Sequence, residues 1–139
     1  MPPKLHFQAG DKAEGYRLTR LAAEQGDAQG QFRFGLMYST GHGVAQSDVE
    51  ANKWFHRAAE QGDDDAQFVL AGDYFFGIGV PQDYIEAHKW ANLAVSRAPD
   101  QIAREAHRTL LDQIAEKLTP EHIVEAQKLA REWKPKPER

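Results

Sequence analysis

The chain has 139 residues, 41% of them hydrophobic and 27% charged, with a formal net charge of −4. That length fits one domain able to bury its own core, and the composition excludes general disorder. No apolar run reaches membrane-span length, and an acidic balance offers no overall basic field for a nucleic acid.

The first residues, Met1-Pro2-Pro3-Lys4-Leu5-His6-Phe7, read as an N-terminal extension through residue 11. They lack the apolar centre of a secretory leader, which points to the cytoplasm, or to the periplasm had a leader been removed. There are no cysteines, which excludes disulfides and thiolate metal sites. Residues 12–27 then read as a lone helix with its following turn, Leu18 and Ala22 lying on one stripe.

From Ala22 onward the chain repeats itself. Shifting it by 36 positions aligns residues 22–58 with 58–94 without a gap and gives 18 identities, where average composition gives roughly two or three. Each unit, 28–63 and 64–99, reads as two helices. In the first helix Phe34 and Tyr38, and Ala66, Leu70 and Tyr74, follow helical spacing. Gly41-His42-Gly43-Val44 and Gly77-Ile78-Gly79-Val80-Pro81 close that helix with glycines suited to positive φ. Ser47 with Glu50, and Asp83 with Glu86, have capping-box spacing and open the second helix. Its buried stripe is Ala51, Trp54, Ala58 in one copy and Ala87, Trp90, Ala94 in the other. Asp63 or Asp64 is the expected cap of the next helix.

Residues 100–117 and 120–134 read as a last, divergent pair. Ala106 takes the Leu70 position, Leu110 takes the Tyr74 position, and Thr119-Pro120 opens the final helix. Atypical terminal units are what a solenoid needs, because its ends must shield their apolar faces. The fold expected is all-α, an α/α solenoid of about seven helices. Residues 135–139 are a tail. Arg131, Lys134, Lys136 and Arg139 alternate with Glu132 and Glu138, and this mixed-sign run reads as a solvated surface.

The pattern Phe32, Phe34-Gly35, Tyr38, Gly41-x-Gly43-Val44, Ala51, Trp54, Ala58-Ala59 resembles the Sel1-like repeat, a relative of the tetratricopeptide repeat with a slightly longer unit. So does the second copy, with Phe68, Leu70-Ala71, Tyr74, Gly77-x-Gly79-Val80, Ala87, Trp90 and Ala94. Residues 118–133 are similar to the closing helix of short bacterial members. The resemblance spans about residues 10–134 and implies a right-handed superhelix acting as a protein-interaction adaptor. Gly30 and Ala71 depart from it, each one small residue for another. Some secreted members carry cysteine bridges and are linked to β-lactams, and the cysteine-free chain is a poor match to them.

No nucleophile or phosphate-loop signature is present. Ser39, Ser47 and Ser96 are followed three residues later by His42, Glu50 and Pro99, so Ser-x-x-Lys is absent, as are Gly-x-Ser-x-Gly, HExxH and a Gly-Lys-Ser/Thr loop. No two of the six histidines share i, i+3 or i+4 spacing, which argues against a zinc site. His56 and His88, with Asn52 and Asn92, read as surface positions on the outer helix, and Asp63-Asp64-Asp65 as a helix start rather than a cation loop. The sequence thus predicts a non-enzyme without cofactor or metal, binding a protein or peptide and neither nucleic acid nor membrane.

The expected binding groove is the concave side, lined by the first helix of each pair. Arg33 and Met37, Val69 and Asp73, and Glu105 and Thr109 are its expected residues, because they differ between copies while packing positions agree. Phe76 and Tyr84 fit the buried stripes least well and are expected surface contacts. Two other readings stand beside the adaptor: a bacterial toxin-immunity or inhibitor protein, which acidic complementarity to a basic partner favours, and a cell-wall or β-lactam hydrolase.

Overall fold

The structure, a computed structural model, describes residues 9–139. Most of the N-terminal extension, and with it the start Met1–Phe7, lies outside them. Among the described residues there are seven helices and no strand: α1 (Ala9–Glu24), α2 (Ala28–Thr40), α3 (Asp48–Glu60), α4 (Asp64–Phe76), α5 (Tyr84–Arg97), α6 (Gln101–Ala115) and α7 (Pro120–Glu132).

Side chains set the helix starts. The Asp27 carboxylate accepts from the Gly30 N–H, Ser47 from Glu50, Asp63 from Ala66, Asp100 from Ala103 and Thr119 from His122, at 2.8–3.2 Å. Each satisfies a donor that the helix itself cannot. Only half of each capping box forms. The Ser47 and Asp83 N–H groups already donate to the carbonyls of Tyr38 and Tyr74, both at 2.9 Å. Glu50 and Glu86 are therefore released from the box and pair with Lys53 and Lys89. At the other end of α2 and α4, Gly41 and Gly77 take φ of 78° and 73°, and their N–H groups close onto Met37 and Asp73. A side chain at either site would meet the left-handed penalty.

Packing runs along the chain: α1 on α2, α2 on α3, α3 on α4, α4 on α5, α5 on α6. Within the pair α2/α3, Phe34 lies edge-on to Trp54 at 5.0 Å. Gly35 lets α3 come close, since a Cβ there would stand 2.5 Å from the Phe55 ring. In the next pair both residues change together. Ala71 follows Gly35 and Ala91 follows Phe55, both fully buried, so volume lost on one helix is partly regained on the other.

The last two helices do not repeat this pairing. α7 turns back onto α5 and barely touches α6. Ala126 is buried and Trp133 stands edge-on to Trp90 at 6.3 Å. The face of α6 that would meet its own second helix stays open, so Ala106 is exposed, unlike Leu70. The core side of α6 is instead His107, Leu110 and Ile114. His107 fills the position of Ala71, stacks on Phe68 at 4.5 Å and donates from Nδ1 to the Ala94 carbonyl at 3.0 Å.

The tail is exposed, as a solvated run should be, and it also makes contacts that the sequence does not suggest. Residues 136–139 lie back across the turns between α3 and α4 and between α1 and α2, with contacts from Glu60 to Asp27.

Candidate protein-interaction site

Burial gives the open face of the first helices directly. On α2 the exposed residues Gln29, Arg33, Leu36 and Thr40 recur at i, i+4, i+7 and i+11, one face of a helix. The same positions, 36 residues on, are Asp65, Val69, Gly72 and Phe76 on α4, then Gln101, Glu105, Arg108 and Asp112 on α6. Arg33 and Glu105 are exposed and Val69 is half-buried. Phe76 is 65% exposed and packs T-shaped against Phe75 at 4.9 Å, and Leu36 is 39% exposed. Tyr84 is half-buried against Phe75.

In two of the three predicted pairs the second residue is buried. Met37 is 8% exposed and belongs to the core with Ala23 and Phe34. Asp73 is 7% exposed and accepts a hydrogen bond from Asn52 Nδ2 at 3.2 Å. Thr109 is exposed and donates to the Glu105 carbonyl. Both i+3 and i+4 are neighbours on a helix, and here the open neighbour of position 33 is Leu36, one residue before Met37. The sequence carried a signal for it, since positions 36, 72 and 108 differ as much between copies as 37, 73 and 109.

Met37 and Asp73 are contacts between one unit and the next. Asn52 of α3 reaches Asp73 of α4, and 36 residues earlier Tyr16 of α1 meets Met37 of α2 beside Gly43. The same junction is apolar at one step and polar at the next. Burial, opposed by the Asn52 hydrogen bond, pushes the Asp73 carboxyl up to about 6. Two positions read as surface are likewise interior: Asn52 is 6% and His88 4% exposed. They occupy equivalent places on α3 and α5, and burial lowers the His88 pKa. His56 is half-buried, edge-on to Trp90, and burial lowers it too. Polarity alone points Asn52 and His88 outward in the sequence, whereas the fold buries them.

An open cleft of about 610 Å³ lies between α1 and the turn after α2. Tyr16, Met37 and Val44 line it, with Arg17 and Arg20 at its rim. Arg33 belongs to a separate, smaller hollow with Leu18 and Asp27. Among the described residues no group of three or more histidines or carboxylates is placed to hold a metal ion, and no helix is long and apolar enough to cross a membrane.

A family model for the Sel1 repeat matches residues 7–27, 28–63 and 64–98. The chain belongs to the Sel1 repeat family. It is similar to the crystal structure of a protective antigen present in uropathogenic Escherichia coli strains displaying an SLR fold, with a TM-score of 0.81 and 27% identity over 91% of this chain and 26% of that one. It is also similar to a Sel1 repeat protein from Oxalobacter formigenes, with a TM-score of 0.63 and 33% identity over 69% of this chain and 71% of that one. This chain therefore spans about a quarter of the antigen's length. No curated protein matches the sequence. Sel1 repeat proteins generally act as protein-interaction scaffolds, and the fold is typically non-catalytic.

Proposed function

We propose that this Sel1 repeat chain is a non-enzymatic scaffold that binds a segment of a partner protein across the open face of α2, α4 and α6. One observation carries the reading: much of the buried frame of the two full repeats is identical, as at Gln31/Gln67, Ala51/Ala87 and Ala58/Ala94, while the open row changes at every step. Arg33 is followed by Val69 and Glu105, Leu36 by Gly72 and Arg108, and Thr40 by Phe76 and Asp112. A frame that repeats while its exposed row does not is what a shaped contact surface requires. Leu36, Val69 and Phe76 would be the apolar anchors, and Arg33, Glu105 and Arg108 would fix orientation at the rim.

The reading is tested with a photo-crosslinking residue placed in turn at Leu36, Val69 and Phe76, and at the exposed positions Lys53 and Lys128. The expected result is one shared crosslinked partner at the first three sites and none at the last two, with Arg33→Glu abolishing the product. Equal labelling at both sets would sink the assignment. Met37→Ala belongs to the fold and is expected to lower stability instead.

A further inference from the structure

Residues 134–138 lie on a strip built for an extended chain. Pro135 and Pro137 alternate with Lys136 and Glu138, so only every second residue carries an N–H. Both of those donors are used: Lys136 N–H on the Glu60 carbonyl at 2.7 Å, and Glu138 N–H on Gln61 Oε1 at 3.2 Å. The Glu138 carboxylate accepts from Arg57 Nη2 at 2.6 Å, Arg57 Nε at 3.2 Å and Gln31 Nε2 at 2.9 Å. Lys136 pairs with Glu60 at 3.0 Å and Arg139 with Asp27 at 3.2 Å.

The receiving side is also held by groups outside the tail. Gln31 is fully buried, with Nε2 also on the Ala23 carbonyl. Gln61 Nε2 is held by the Gly26 carbonyl and by Gln31 Oε1. That fixes one amide donor and one amide acceptor beside Arg57, whose guanidinium rests on the Trp54 ring at 4.5 Å. The set matches an extended backbone bearing a carboxylate. What holds the tail down is mostly exposed: Lys136 and Arg139 are 75% and 59% open to solvent, and such pairs contribute little individually. The tail stays because it is tethered at Trp133, packed on Trp90, which raises its local concentration.

We propose that the strip formed by Gln31, Arg57 and Gln61 is a second protein-docking site, distinct from the open face of the first helices. It takes an extended, proline-spaced segment with the order Lys-x-Glu, and residues 134–138 occupy it in cis as a displaceable stand-in.

The probe is a synthetic peptide of residues 134–139, titrated into the full chain while the Gln31 and Gln61 side-chain amides are followed by 15N NMR. Glu138→Lys sets the chain's own tail against Arg57 and frees the strip. The peptide is expected to half-saturate this variant at a concentration at least tenfold below that needed for the unaltered chain. A peptide with lysine in place of its glutamate is expected to leave the amides unmoved. In the Arg57→Glu/Glu138→Lys chain the tail pairs again with charges exchanged, and the original peptide is expected not to bind. Equal response of the first two chains, or no response in the freed chain whose thermal unfolding is unchanged, would overturn the proposal. Neither outcome bears on the crosslinking at Leu36, Val69 and Phe76.

Discussion

The first and last helices of the described solenoid cover their neighbours differently. In the second full repeat, where α7 lies on α5, Trp90 is fully buried, with Trp133 and His56 edge-on to it and Lys89 over its ring. In α1 the equivalent residue is Leu18, 49% exposed, and Leu21 beside it is 43% exposed. Trp54, between them in the series, is half-buried. Among the described residues α1 is a second helix with no first helix before it, whereas α5 has α7 laid across it. The same sequence position thus runs from open to closed along the molecule, decided by what the neighbouring element covers rather than by its own hydrophobicity.

Truncation at the closed end should cost most. Trp90→Ala is expected to lower the unfolding free energy by about 3–5 kcal/mol, the range for a large buried aromatic, while Leu18→Ala changes it by less than about 1 kcal/mol. Denaturant melts of the two variants give the comparison, and equal losses would mean that the first end is as closed as the last.

A smaller contrast separates the two full repeats. Gly35→Ala pushes a methyl group into the Phe55 ring and should cost about 1–3 kcal/mol. Combined with Phe55→Ala, which copies the Ala71/Ala91 arrangement of the next unit, its added cost should fall well below its cost alone. Strict additivity in this double-mutant cycle would show that the Gly35/Phe55 and Ala71/Ala91 pairs are not compensating changes.

The junctions differ in charge as well as volume. Asp73, pushed up to about 6 from 3.8, holds its proton more tightly folded than unfolded. Its contribution to stability is complete below about pH 4, is lost as pH rises through about 6, and is flat above. Asp73→Asn, keeping an acceptor for Asn52, is therefore expected to gain about 1–2 kcal/mol at pH 7 and nothing near pH 3.5. A difference between variant and parent that does not change between pH 4 and 6 would remove this account. Glu138, held below the usual carboxylate range by Arg57, acts in the opposite direction, so the difference curve and not the total profile is the measurement.

How much of this could be read beforehand follows the same physics. The 36-residue period revealed the helices, their glycine ends and most caps, because these depend on local chemistry that repeats. Arg33 and Glu105 are exposed and Val69 is half-buried, but the open neighbour of Arg33 is Leu36 and not Met37, since two helix neighbours are alike by spacing and only burial separates them. Asn52 and His88 look outward in the sequence because they are polar, and Asp73 because it lies off the apolar stripe, yet all three are buried. The return of α7 onto α5, and the tail on Gln31 and Gln61, left no periodic trace. They rest on partners that recur nowhere else in the chain.

The crossing of the tail has a consequence for cooperativity. Stacked repeats touch only their neighbours, so each end can fray without informing the other. Here Arg139 reaches Asp27 across 112 positions, and Glu138 reaches Gln31 across 107. A row of units becomes a ring of linked ones: opening the turn between α1 and α2 undoes contacts made by the last residues. Amide exchange at the two ends is therefore expected to be coupled, with removal of residues 134–139 raising exchange at the turn between α1 and α2.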